Sequence, residues 1–299
     1  GEYTALVAAG AISLADGVRL VAERGRLMQA AVPAGEGAMA AILGLEDDVV
    51  RQCCADSAAA GVVEAVNFNA PGQVVIAGST AGVQAAIERL KAAGAKRALS
   101  LPVSVPSHCA LMQPAAERLR LTLDAMVFHS PAIPVVQNVA ARIEADATAI
   151  REALVQQLYR PVLWVQCMEV LAGFGVTRAL ECGPGKVLCG LNKRIVKEMD
   201  CAALESADGF AAALAGMRQR QMRAPDEIVR AGSVAAALVF VEAGAGARIG
   251  HAAADLQGFA DALEHGLRRR HGGLAAVQHH QEFARPQVGD HAIVAAEGA

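Results

Sequence analysis

Residues 37–104 read GAMAAILGLEDDVVRQCCADSAAAGVVEAVNFNAPGQVVIAGSTAGVQAAIERLKAAGAKRALSLPVS, and their rhythm decides the fold. Four short apolar runs have strand character: GAMAAILGL (37–45), VVEAVNFN (62–69), QVVIAG (73–78) and KRALSLPVS (96–104). Between them stand two amphipathic stretches of helical spacing. EDDVVRQCCADSAAAG (46–61) ends on a Gly, and STAGVQAAIERLKAAGA (79–95) opens on a Ser/Thr cap and closes near Gly94. Ala70, Pro71 and Gly72 supply a turn between the middle strands. The order β-α-β-β-α-β is the split βαβ unit. It predicts a ferredoxin-like small subdomain over residues 31–104, inserted in a larger α/β frame.

On its N-terminal side, residues 2–30 read as helical. Leu6, Val7, Ile12, Val18, Val21 and Met28 recur at helix spacing, with a break near Gly10 and a restart capped by Ser13 and Asp16. On its C-terminal side, a helix is expected over 107–126 and a strand over PVVQNV (134–139). Helices follow at about 145–158 and 161–174, divided by Pro161. TRALECGPG (177–185) reads as a strand entering a Gly-rich turn, and KVLCGLNKRIVKEM (186–199) as a helix. Strands alternating with helices argue an α/β core built from 1–30 and 105–214.

The remainder, 215–299, differs in composition. It holds no Lys, Asn or Cys, six of the eight His fall at 251 or later, and Ala, Gly, Arg and His dominate. This is the expectation for an atypical tail, disordered or read out of frame. Its lookalikes are weak. VAAALVFVEAGAGARIG (234–250) resembles a strand entering a glycine turn without a complete βαβ unit. HHQE (279–282) lacks an ordered frame for a metal, and CGPGKV (182–187) misses a phosphate loop because Leu180 and Val187 stand where Gly and Ser/Thr are needed.

A net charge of −3 gives no case for nucleic acid or an anionic membrane as partner. No charged-then-apolar stretch with a cleavage site appears in the sequence, and a cytoplasmic protein is the default expectation. The seven Cys are Cys53, Cys54, Cys109, Cys167, Cys182, Cys189 and Cys201. Their odd number, irregular spacing and lack of C-x-x-C argue for reduced thiols rather than disulfides or zinc.

Two residues invite chemistry. VSVPSHCALM (103–112) places His108 between a strand and a helix, where an imidazole either takes a proton from a hydroxyl near neutral pH or merely caps the helix. Arg24, in VAERGRLMQ, either grips a carboxylate through two parallel hydrogen bonds or pairs on the surface with Glu23.

The order GEYTALVAAG, RGRLMQ, AVNFNAPGQVVIAG, LPVSVPSHCALM, QLYRPVLW, ECGPGKVLCGL resembles the bacterial malonyl-CoA:acyl-carrier-protein transacylases, colinearly from Gly1 to about Leu214. The resemblance implies an α/β-hydrolase-like acyltransferase core with the inserted ferredoxin-like subdomain. It implies His108 as the catalytic base, Arg24 as the anchor of the malonyl carboxylate, and Gln157 as the residue whose backbone carbonyl orients the His ring. Asn67 and Asn69 match a stretch beside the cleft. In that family Gly-His-Ser-Leu precedes the residue matching Gly1 and completes a nucleophile elbow, so the nucleophilic Ser is expected to lie outside this sequence. No metal and no cofactor is implied. Malonyl-CoA is the substrate and acyl carrier protein the partner, with neither nucleic acid nor membrane involved. The alternatives are a polyketide-synthase-type acyltransferase domain and a non-catalytic fragment that binds the carrier protein.

Overall fold

In the computed structural model, three of the four strands of the small unit alternate their side chains between two covered faces, and the fourth is largely exposed. β1 (Gly37–Leu43), α3 (Asp47–Asp56), β2 (Val63–Ala70), β3 (Gln73–Ser79), α4 (Thr80–Ala92) and β4 (Arg97–Ser100) follow the predicted order, preceded by α1 (Glu2–Ala8) and α2 (Leu14–Ala31). The sheet order is β2-β3-β1-β4, and every pairing is antiparallel, with Ala40 opposite Ile76 and Ala41 opposite Leu99. That arrangement is the ferredoxin-like one. Ala40, Ile42, Val74, Ile76 and Phe68 pack beneath α3 and α4. The period of two sends Met39, Val66, Val75 and Ala77 to the opposite face, against Cys109. That face meets the rest of the molecule.

The remaining elements are α5 (Gln113–Asp124), β5 (Val136–Gln137), β6 (Arg142–Ile143), α6 (Ala147–Gln156), α7 (Trp164–Gly173), β7 (Val176–Glu181), α8 (Val187–Ile195) and β8 (Asp200–Ala203). The structure describes residues 1–103, 105–182, 185–206, 208–209 and 211–213, and the backbone of β9 (Ser233–Ala236) and β10 (Val239–Ala243). One apolar core joins α1, α2, α5 and α6 through Leu6, Leu20, Leu119, Leu123, Ile150 and Leu154. A second joins α7, β7 and α8 through Trp164, Met168, Leu171, Ala179 and Leu188. β7 pairs in parallel with β8 and antiparallel with β10, in the order β8-β7-β10-β9.

Three ties bind the small unit to the core. β2 continues into the core by Phe68 N–H to the Val162 carbonyl and Val162 N–H to the Val66 carbonyl. Arg194 on α8 donates to Gln73 Oε1 (2.6 Å) and to the Pro71 carbonyl (2.7 Å). Gly37 lets β1 approach the Pro106 ring, which a Cβ there would meet at 2.5 Å.

Several expectations need correction. The stripe expected on the second helix included Val18 and Val21, yet both are exposed; the buried line is Leu20, Arg24 and Met28. Apolarity alone passed over Arg24, whose position on the buried face counts for more than its charge. The helix expected from 107 begins at Gln113 because His108 adopts φ 66°, which no helix tolerates. PVVQNV yields only Val136–Gln137 as strand, since the Asn138 peptide is engaged by Glu2 and by Leu163 rather than by a ladder. β8 and β6 went unanticipated. The run expected as one strand from 234 is two strands, and its Gly-rich continuation lies outside the described residues, as do HHQE and most of 215–299. Cys189 and Cys201, expected as free thiols, form a disulfide with Cα atoms 5.3 Å apart, because α8 and β8 lie side by side; Cys53, Cys54, Cys109 and Cys167 remain free thiols as expected.

Candidate active site

His108, Gln157, Arg24 and Glu2 come from four separate elements and meet at the N-terminus of α1. Each is placed by a local rule. The last carbonyls of a helix have no intrahelical partner. At the end of α6 the Gln157 carbonyl therefore accepts a hydrogen bond from His108 Nδ1 at 2.7 Å, and the Leu158 carbonyl accepts one from the His108 backbone N–H at 3.0 Å. With Nδ1–H committed to a carbonyl, Nε2 carries the lone pair. The left-handed backbone of His108 costs about 1–2 kcal/mol for a non-glycine residue. Those two bonds, and the Cys109 thiol donating to the Pro106 carbonyl at 3.2 Å, over-determine it. Cys109 lies against the underside of the small sheet, so the sheet backs the loop that carries the imidazole.

His108 is 3 % exposed. Its pKa is pushed down to about 4, first by burial and then by the nearby Arg24 charge, with the Gln157 bond pulling the other way. At neutral pH the ring is neutral, the form a proton acceptor needs.

Arg24 is 7 % exposed, on the inward face of α2. Its guanidinium lies over the Tyr3 ring, 5.7 Å from the centroid, and Nε and Nη2 have no hydrogen-bond partner. The surface pairing with Glu23 belongs instead to Arg26. A buried guanidinium with open donors is a receptor for an anion of fork geometry, a carboxylate above all. Tyr3 completes this wall; burial pushes its hydroxyl up to about 12.

Glu2 is fully buried. Its Oε2 accepts from the Asn138 backbone N–H at 2.9 Å, while Oε1 has no partner. Burial raises its pKa to about 7, and the Asn138 bond is the largest of the opposing effects. Asn67 and Asn69 are buried on β2. Among the described residues no group of three or more His, Cys, Asp or Glu is placed to hold a metal, and no helix is long and apolar enough to cross a membrane.

The structure thus brings together the three residues singled out in the sequence. It adds Glu2, Tyr3 and Asn138, which sequence reasoning missed. The available signals were a carboxylate at the head of an otherwise apolar helix and the polar pair Gln137–Asn138 inside an apolar run.

Residues 1–236 match the model of the acyl transferase domain family, which extends past the Leu214 limit expected for the resemblance. The chain is 56 % identical over 214 residues to the malonyl CoA-acyl carrier protein transacylase of Salmonella typhimurium, covering 72 % of this chain and 69 % of that protein. It is 44 % identical over 220 residues to the Bacillus subtilis protein of the same name, covering 73 % and 69 %. Among solved structures, the acyl-carrier-protein S-malonyltransferase of Burkholderia pseudomallei superposes with a TM-score of 0.70 at 53 % identity, covering 72 % of this chain and 70 % of that one. A malonyl-transacylase solved with a type II polyketide acyl-carrier protein superposes with a TM-score of 0.71 at 51 % identity, covering 72 % and 70 %. With a colinear match of this depth on an α/β frame whose buried imidazole and guanidinium converge, the chain belongs to the malonyl-CoA:acyl-carrier-protein transacylase family.

Proposed function

We propose that this chain provides the base and the carboxylate anchor for transfer of a malonyl group from coenzyme A to the phosphopantetheine thiol of acyl carrier protein, through a Ser ester. The observation that carries the reading is the neutral, carbonyl-tethered His108 beside the open donors of Arg24. The nucleophile comes from the Gly-His-Ser-Leu segment that the family carries ahead of the position of Gly1. In the first half-reaction His108 Nε2 takes the Ser proton as the hydroxyl oxygen bonds to the thioester carbon. The C–S bond then breaks, and the coenzyme A thiolate leaves with the proton from His108. The second half runs in reverse, with the carrier thiol as nucleophile. The Gln157 carbonyl replaces the carboxylate of a Ser-His-Asp triad. Backbone amides at the elbow hold the oxyanion.

Arg24 selects for a carboxylated acyl group. Pairing with malonyl also removes an uncompensated charge beside His108, so the same contact that binds the substrate makes the imidazole a stronger base. No cofactor enters this scheme. We assign residues 1–30 and 105–214 to the catalytic core and 31–104 to the small subdomain, and we place the reaction in the cytoplasm.

The test is intact mass of the chain joined to its elbow segment. Malonyl-CoA should add one malonyl group, and phosphopantetheinylated carrier protein should discharge it. An unmodified mass under saturating malonyl-CoA overturns the reading. A second reading, delivery to a polyketide carrier, is favoured by the similarity to the transacylase solved with such a carrier. Discharge rates with the two carrier types decide between them.

A further inference from the structure

Among the described residues three guanidinium groups lie over aromatic rings, and one of the three has buried donors without a partner. Arg51 sits over Phe68, 4.1 Å from the centroid, and also pairs with Asp48 at 3.3 Å. Arg151 sits over Phe128, 4.9 Å from the centroid, and its Nε and Nη2 donate to the Leu123 and Met126 carbonyls at 3.1 and 3.0 Å. Both cations use the ring and their donors at once. Arg24 differs. It lies over Tyr3, 5.7 Å from the centroid, while Nε and Nη2 have no partner. The acids near it in sequence are engaged elsewhere, Asp16 with Arg19 and Glu23 with Arg26. Glu2 accepts from the Asn138 N–H through Oε2, and its Oε1 has no hydrogen-bond partner. The ring is therefore the contact that holds this guanidinium. Tyr3 and Arg24 stand on α1 and α2, which pack together through Leu6 and Leu20.

A cation this deeply buried needs a source of negative potential beside it. A carboxylate would supply the most, but it would fill the donor fork and compete with an incoming carboxylate. The face of an aromatic ring supplies negative potential through its quadrupole and leaves the N–H groups in the guanidinium plane unoccupied. Tyr3 is itself 4 % exposed, and burial pushes its hydroxyl up to about 12, so a neutral phenol and not a phenolate faces Arg24. The hydroxyl has no hydrogen-bond partner. Resting on the role of Arg24 proposed above, we propose that Tyr3 is a positioning and specificity residue: its ring face seats the buried guanidinium in place of a counter-ion, so that the donor fork stays open for the carboxylate of the acyl group. An aliphatic side chain at this position would fill the space and leave the cation without a seat.

The experiment measures kcat and KM with malonyl-CoA and acetyl-CoA in the chain carrying its elbow segment. It compares wild type, Tyr3→Phe, Tyr3→Leu, Arg24→Gln and the double variant of the last two. Tyr3→Leu should lower the malonyl-to-acetyl ratio of kcat/KM about 10-fold, chiefly through a higher KM for malonyl-CoA, the scale of a desolvated cation–ring contact. Tyr3→Phe keeps the face and should hold the ratio within about 2-fold of wild type. With Arg24→Gln already present, Tyr3→Leu should not move the ratio further, because the ring has no cation to seat. If Tyr3→Leu does not fold, pentafluorophenylalanine in place of Tyr3 keeps the shape of Phe with the polarity of its face reversed, and it must show the drop. A purely structural Tyr3 would lower both donors alike; an unchanged ratio in Tyr3→Leu or in the fluorinated variant overturns the proposal. So does a ratio in Tyr3→Phe as low as in Tyr3→Leu, which would assign the effect to the hydroxyl. An unchanged ratio in Arg24→Gln overturns instead the role of Arg24 beneath it.

Discussion

The small unit and the core solve burial differently. In the small unit, period-two strands place Phe68, Ile42, Val74 and Ile76 under two helices, and among its described residues only the Asn67 Oδ1 is a buried side-chain polar atom without a partner. In the core, Glu2, Tyr3, Arg24, Asn138 and Gln157 all carry such atoms around the N-terminus of α1, and Gln137, Trp164, Gln166, Arg178 and Asn192 carry others. Open polar groups in a dry interior cost stability unless something binds them. The small unit is therefore a packed brace, and the core holds the site it braces. The brace reaches the site where Met39, Val66, Val75 and Ala77 meet Cys109 beside the imidazole.

The sharpest way to break this contrast is His108→Ala, expected to lower malonyl transfer by on the order of 10³-fold, within the range for losing a general base, without loss of fold, because Ala relieves part of the burial cost at that position. Near-wild-type kcat would show that the core houses no base. Phe68→Ala tests the other half. A fully buried Phe in the small unit should cost about 3–5 kcal/mol of stability, read by urea unfolding, while the folded fraction keeps its His108 ring signature. Arg24→Gln comes next. Preference for malonyl over acetyl donors should fall by on the order of 100-fold, the scale of about one charge-assisted pair. The His108 pKa should rise at the same time, because the Arg24 charge is the second cause of its depression.

A subtler effect concerns acid. His108 titrates near 4 in the folded chain against an ordinary 6.5, so as pH falls through that window the unfolded chain gains a proton the folded one refuses, and stability drops. Glu2 titrates near 7 against an ordinary 4.5, so stability drops as pH rises through its window. Each shift corresponds to on the order of 3 kcal/mol, and the two oppose each other where the windows overlap. In Glu2→Gln the opposition is gone. The variant should lose stability steadily from pH 6.5 to 4.5 relative to wild type, in denaturation midpoints at the two ends. A parallel pair of profiles would show that the two groups do not titrate as described. The smallest effect is expected from Arg194→Ala. It removes the side-chain ties to Gln73 and Pro71 and should cost about 1 kcal/mol, visible as less cooperative unfolding of the two units.

Most of the small unit was legible in the sequence because strand and helix periods are local, and its turn residues stand where the periods change. The ends of α2 were legible for the same reason: Ser13 accepts from Asp16 N–H as a cap should. The site was legible in part. His108, Arg24 and Gln157 came from long motifs, not from any local rule, since a lone His reads as a helix cap and a lone Arg as a surface residue. Glu2 escaped because its partner Asn138 is remote in sequence, and the Cys189–Cys201 pair because β8 has no pattern of its own.

By itself the sequence determined the β-α-β-β-α-β order, the cap that starts α2 and the family whose motifs it strings together, since all of these live in residues near one another along the chain. Only the tertiary structure decided that the end of α6 meets His108 in the loop that follows β4. It also decided that Arg24 faces inward although the apolar stripe ran beside it, and that a buried carboxylate at the head of α1 bonds the Asn138 peptide. Those are consequences of packing: which carbonyl is left open at a helix end, and which side chain is buried beside it, depends on elements that no local period relates.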